Sequence, residues 1–258
     1  MKQRRIIAAA LAVAAVILWL VINPESYEKT YERVEETAVA EATSGGDAGN
    51  AGAFSDIDAS TSIDENGVEL ARAADLLESL EVKGRAPKTG YARTEFYNGW
   101  PDVDGCNLRQ RILRRDFGET AVLSGCMVMT GEFDEPYTGQ HLVFTAKEQI
   151  STGVQIDHVV ALSDAWQKGA QYQTPEQRYA IATDPMNLLA VESKANQQKS
   201  DGDAATWLPS NKAFRCQYVA RQVAVKYKYS LWVTTAEKQA ISDILEACPN
   251  EKTWKIKY

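Results

Sequence analysis

The chain has 258 residues, 45% of them hydrophobic, so it can bury the core of one sizeable domain and is not a wholly disordered polypeptide. Its formal charge of -7 is local: residues 1–83 carry 7 Lys and Arg against 15 Asp and Glu, whereas 84–258 carry 21 against 20. The near-neutral remainder neither requires nor excludes a local basic groove.

Lys2, Arg4 and Arg5 precede an unbroken apolar run from Ile6 to Ile22, at the short limit of a membrane span and long for a signal-peptide core. No small-residue cleavage pattern follows closely; the nearest is Ala38-Val39-Ala40. Residues 1–24 therefore read as an uncleaved anchor with its basic end in the cytoplasm. A cleaved signal peptide is the alternative, and both readings place the remainder outside the cytoplasm, at the cell envelope or secreted. Residues 25–67 read as a charged stalk and then a flexible linker, because Thr43 to Ser62 is too rich in Gly, Ala, Ser and Asp to bury a core. The folded domain is expected over 68–258.

Within it, Leu70, Ala73, Ala74, Leu77 and Leu80 recur at helical spacing over Val68 to Leu80. Leu108, Ile112, Leu113 and Phe117 predict a second helix. Val122 to Met129 and His141 to Thr145 read as short strands around the turn-rich segment Asp134 to Gly139. Val154, Ile156 and His158 alternate with Gln155 and Asp157, predicting a strand that ends near the Asp-His pair. Thr174-Pro175-Glu176-Gln177 is a capping box opening a helix. Leu188 to Val191 predicts a strand, Glu192 to Lys199 a helix, and Phe214 to Tyr229 a longer one. A second capping box, Thr234-Thr235-Ala236-Glu237, starts the last helix. The fold class is α+β, with short strands and additional packed helices.

Cys106, Cys126, Cys216 and Cys248 include no C-x-x-C pair, which argues against a zinc knuckle. An even count in an exported chain points to two disulfides. Three connectivities exist on paper. Proximity favours Cys106–Cys126, and an antiparallel hairpin of the last two helices would bring Cys216 beside Cys248.

The only histidines are His141 and His158, so a histidine-rich zinc site is excluded, and no G-x-S-x-G elbow is present. His141 sits in a strand-like run and reads as packed or surface. Trp166, Trp207 and Trp232 read as core rather than as base-stacking platforms. At the end of a strand, neighbouring side chains point to opposite faces unless the backbone bends, which would divide the work between Asp157 and His158. Strand, excursion, strand, helix is a ββα plan, with Asp157-His158 on its first strand and Asn196 on its helix.

Ile156-Asp157-His158-Val159-Val160-Ala161-Leu162, Asp184-Pro185-Met186-Asn187-Leu188-Leu189 and Asn196-Gln197-Gln198-Lys199-Ser200-Asp201 followed by Trp207-Leu208-Pro209 resemble, in order and spacing, the HNH (His-Me finger) nucleases. Within these, the chain resembles the branch related to the C-terminal domain of GmrSD restriction endonucleases, which includes many exported bacterial proteins. Gly105-Cys106-Asn107-Leu108-Arg109, Arg115-Asp116 and Pro136-Tyr137-Thr138-Gly139 extend the likeness upstream, over roughly residues 84–250. The resemblance implies a ββα-metal core that hydrolyses phosphodiester bonds of DNA, or of RNA. It implies His158 as the general base and Asp157 and Asn196 as ligands of one divalent cation. Asn187 would orient the histidine or brace the loop. An Asp/Asn oxygen pair suits Mg²⁺ or Mn²⁺ better than zinc. Arg109 and Lys199 are the candidate phosphate contacts, with pairing to Asp116 the alternative for Arg109. The competing class is a non-catalytic envelope module that binds nucleic acid or a protein partner.

Overall fold

The computed structural model describes residues 62–63 and 67–258; the expected anchor and almost all of the stalk and linker lie outside the described residues. Among the described residues no helix is long and apolar enough to cross a membrane.

The chain begins with strands β1 (Ser62–Ile63) and β2 (Glu69–Arg72), antiparallel to each other. Helix α1 (Ala73–Glu78) follows, so the helix expected from Val68 starts only at Ala73. The first part is claimed by pairing with a C-terminal strand 180 residues away in sequence, described below, and such a partner outweighs local periodicity. A short 3-10 turn (Arg93–Glu95) and the β3 (Asp102–Val103) and β4 (Cys106–Asn107) hairpin lead into α2 (Leu108–Phe117). Asn107 caps α2 by accepting the Arg109 N–H.

The strand expected over Val122 to Met129 is two strands, β5 (Val122–Ser124) and β6 (Met127–Asp134), because Gly125 takes a positive φ of 58° and turns the chain. β6 then pairs with β7 (His141–Phe144). Helix α3 (Lys147–Gly153) was not legible in the periodicity; it delivers the chain to β8 (Val154–His158). Helices α4 (Leu162–Gln167) and α5 (Pro175–Thr183) follow, the second opened by the Thr174/Gln177 capping box. Strand β9 (Leu188–Glu192) lies antiparallel to β8, with Asp157 opposite Leu189 and His158 opposite Leu188. Helix α6 (Ser193–Lys199) completes a ββα unit. Helix α7 (Arg215–Lys228) and α8 (Thr235–Leu245, with the Thr234/Glu237 capping box) pack as neighbours, and β10 (Lys252–Trp254) closes on β2. Cys106 is bonded to Cys126 and Cys216 to Cys248.

The β8–β9 hairpin separates two cores. Val154, Ile156, Leu188 and Ala190 pack with Leu113, Phe117 and Phe133 on one side. Leu189, Val191 and Ala195 pack with Tyr137, Tyr218 and Ile241 on the other. Two strands alone are marginal in water. The outer edge of β9 is satisfied by side chains instead of a third strand. Arg115 Nη2 donates to the Leu188 carbonyl at 2.7 Å, and the Ala190 N–H donates to Asp116 Oδ2 at 2.7 Å. The Glu192 N–H donates to Glu135 Oε1 at 3.2 Å. The Arg115-Asp116 segment singled out in the sequence thus completes a sheet edge, and Arg109 does not pair with Asp116.

Behind α4 lies a buried ion cluster. Lys168 Nζ is 2.7 Å from Asp164, 2.8 Å from Asp203 and 2.6 Å from Glu237. Lys226 bridges Asp164 and Glu237, and Arg85 reaches Asp164 and Asp203. Three cations meet three carboxylates, so the cluster is neutral, and it ties α4, α7 and α8 together.

Candidate active site

Successive residues of β8 point to opposite faces, which gives Asp157 and His158 different surroundings. His158 is buried beneath Trp100, whose ring stacks on the imidazole at 5.8 Å and 11°, and beside Tyr97 at 5.8 Å. Its Nε2 lies 2.9 Å from the Ala182 carbonyl oxygen on α5. A carbonyl only accepts, so Nε2 carries the hydrogen and Nδ1 keeps its lone pair. Burial pulls the imidazole pKa from 6.5 down to about 3, with the Ala182 hydrogen bond opposing and the charges of Arg93 and Lys199 adding to the fall. The ring is therefore neutral at pH 7.

Asp157 is buried on the other face. Its Oδ2 accepts from the Tyr137 hydroxyl at 2.5 Å, and Lys199 Nζ lies 3.0 Å from each carboxylate oxygen. Burial raises its pKa, opposed by Lys199 and the Tyr137 hydrogen bond. Lys199 also donates to the His158 carbonyl at 2.9 Å and is 1% exposed. Its ammonium is spent inside the molecule, away from any surface where a phosphate could meet it. This departs from the expected phosphate contact, because one helical turn beyond Asn196 on α6 faces β8 rather than solvent. Arg109 departs likewise: its Nη2 donates to the Val154 carbonyl at 2.8 Å, bracing the start of β8.

Asn187 is fully buried. Its Oδ1 accepts from the Val160 N–H at 2.8 Å, and its Nδ2 donates to the carbonyls of Ile181 and Val160 at 3.1 and 3.3 Å. Its own carbonyl accepts from the Val159 N–H at 2.8 Å. Asn187 is a clamp on the two residues after His158 and not a contact of the imidazole itself.

Asp157, His158 and Asn196 come together on one cavity of about 320 Å³, with Lys88, Tyr91, Arg93, Ser163 and Asp201 also on its wall. Asn196 Nδ2 donates to Gln155 Oε1 at 2.8 Å, so the amide oxygen remains for another partner. Among the described residues no group of three or more His, Cys, Asp and Glu is placed to hold a metal. The donor set at the cavity is one carboxylate and one amide oxygen. A hard divalent cation held there would have to share the Asp157 carboxylate with Lys199 and the Tyr137 hydroxyl and fill its remaining positions with water and substrate. His141 lies elsewhere, exposed on β7 between Asp134 (2.7 Å) and Glu132 (3.3 Å). Trp166 and Trp232 are core residues, and Trp207 packs against the core beside Tyr137.

Residues 108–244 match the family profile of the GmrSD restriction endonucleases, C-terminal domain, which is more than half of the chain. The chain belongs to this family. An "uncharacterized secreted protein" of Arthroderma benhamiae is 38% identical over 179 residues, covering 68% of this chain and 84% of that protein. No solved structure matches the chain. The matched span contains the whole β8–β9–α6 unit with Asp157, His158, Asn187 and Asn196. It begins after Tyr91, Arg93, Tyr97 and Trp100, which none of the sequence motifs includes. The available signal is aromatic density: three aromatic residues, Tyr91, Phe96 and Tyr97, lie between positions 91 and 97, with Trp100 just beyond and Arg93 among them.

Proposed function

We propose that this chain is a metal-dependent HNH-type nuclease that hydrolyses phosphodiester bonds of nucleic acid outside the cytoplasm, with DNA as the first substrate to test. The observation that supports this most is the state of His158. Its Nε2 is fixed on the Ala182 carbonyl, its Nδ1 has no protein partner among the described residues, and the residue lines a cavity shared with Asp157 and Asn196. Family membership supports a nuclease-related function, and the secreted relative supports an outside location. The apolar run Ile6 to Ile22 would serve as anchor or signal.

In this reading His158 Nδ1 takes a proton from the attacking water, and the Ala182 carbonyl, by holding the hydrogen on Nε2, leaves that nitrogen free before the step. Trp100 and Tyr97 exclude bulk water from one side of the imidazole and fix its plane. Asn187 holds the following loop, which fixes where β8 ends. Mg²⁺ or Mn²⁺ bound to Asp157 and Asn196 would supply positive charge to the phosphate and the leaving oxygen.

The test is plasmid nicking by the full chain with Mg²⁺, Mn²⁺ or chelator, wild type beside His158→Ala. Cleavage that needs the metal and falls at least a hundredfold in the variant is expected. Equal cleavage by both proteins would refute the assignment of the base. Nucleic-acid binding without cleavage would mark a binding module that has kept the fold.

A further inference from the structure

Lys199 is buried and the half-buried Arg109 lines a different hollow, so neither of the expected phosphate contacts lines the cavity. Two other cations do, Lys88 and Arg93. Lys88 Nζ is paired with Asp201 Oδ2 at 2.9 Å, and that oxygen also accepts from Ser163. Arg93 has no carboxylate within ion-pair distance among the described residues.

Its guanidinium is nonetheless held in place. Nε donates to the Tyr97 hydroxyl oxygen at 3.2 Å, Nη2 donates to the same oxygen, and the guanidinium carbon sits 5.2 Å from the Tyr97 ring centre. Tyr97 is buried and in ring contact with His158 and Trp100. One side chain thus sets the position of both the guanidinium and the imidazole. A guanidinium carries five N–H donors. Two are spent on Tyr97, and the other three have no protein acceptor among the described residues.

A fixed, carboxylate-free arginine on the wall beside a base is arranged to receive a tetrahedral dianion or a phosphodiester through paired N–H groups. We infer that Arg93 binds the non-bridging oxygens of the phosphodiester beside His158, with Tyr97 as its positioning residue. That this phosphodiester is the one cleaved rests on the nuclease reading; the binding does not.

The experiment uses the full chain and short DNA and RNA oligonucleotides, with binding followed by fluorescence anisotropy over a salt series in the His158→Ala background. Adding Arg93→Ala should weaken binding about tenfold and reduce the slope of log K against log salt by about one. In the His158-intact chain the same change should lower kcat/KM roughly a hundredfold with an unchanged melting temperature. Arg93→Gln, which keeps a donor for Tyr97 but loses the charge, should show the same loss of slope and stands in if Arg93→Ala does not fold. An arginine that merely packs on Tyr97 would lose stability and keep the slope, and that result overturns the inference. Wild-type cleavage with an unaffected Arg93→Ala overturns Arg93 alone. Binding without cleavage, with a lower slope in Arg93→Ala, overturns the nuclease reading and leaves Arg93 standing. A wild-type chain that binds neither nucleic acid overturns both.

Discussion

Replacing Lys199 by Met tests whether the cation under the cavity is as deeply engaged as its contacts indicate. Met matches the length of the lysine stem but leaves Asp157 with the Tyr137 hydroxyl and no counter-charge, in a place where burial already raises its pKa. Removing one member of a buried pair costs about 3–5 kcal/mol. A second route to the magnitude agrees. The stranded carboxylate can escape by taking a proton, and protonating at pH 7 a group whose ordinary pKa is 3.8 costs about 4 kcal/mol. The His158 carbonyl also loses its Lys199 donor, adding about 1 kcal/mol. For a domain of this size the melting temperature should fall by roughly 10 °C in calorimetry at pH 7. Lys199→Met combined with Asp157→Asn should recover most of the loss, as a double-mutant cycle on a contacting pair requires. Ca²⁺, a hard ion, should raise the melting temperature of Lys199→Met more than that of the wild type, because the uncompensated carboxylate then seeks a cation. A Lys199→Met protein within about 1 kcal/mol of wild type would refute the burial argument.

Asn187→Ala strands the Val160 N–H and the Ile181 and Val160 carbonyls in the interior, and at about 1–3 kcal/mol for each group left without another partner should cost about 3 kcal/mol in urea denaturation. The same variant should lower kcat in the nicking assay with little change in KM, since Asn187 touches the loop and not the cavity; wild-type kcat would remove it from the positioning machinery. The acid limb of stability should report Asp203. Burial raises its pKa, but the Lys168 hydrogen bond and charge, with Arg85 and Thr206, bring the carboxyl down to about 2. Because the folded value lies below the unfolded one, this stabilisation is complete above about pH 4 and is lost as the pH falls through 2. The move from 3.8 to about 2 corresponds to about 2.5 kcal/mol, and Asp203→Asn should flatten that part of the stability-against-pH curve. An unchanged acid limb in the variant would show that other carboxylates set it.

The parts of the fold written in short-range chemistry were readable in advance. Thr174 and Thr234 announce helix starts because a capping box is complete within four residues. Asp157, His158, Asn187 and Asn196 were readable as a set because their order and spacing are fixed by one ββα unit. Glu69–Arg72 was not, because the strand exists only through Lys252–Trp254. The surroundings of Arg109 and Lys199 are not legible for a related reason. Whether a cation faces a ligand or a buried carbonyl depends on which helix face the rest of the chain covers, and a motif does not encode that. Arg93 is not legible as a candidate because its contacts with Tyr97, with no carboxylate partner among the described residues, are a property of the folded surroundings. The Cys216–Cys248 pairing was legible only after two helices had been placed side by side.

The side-chain seam along β9 also limits how the family's signature can be transplanted. The hairpin and helix that carry Asp157, His158 and Asn196 look like a self-contained cassette of fewer than fifty residues. Their exposed flank is finished by Arg115, Asp116 and Glu135, supplied from well upstream. Grafted into another scaffold without that splint, the cassette would offer bare amide and carbonyl groups along one side and invite pairing with other chains. The smallest transferable unit is therefore the cassette together with its upstream brace.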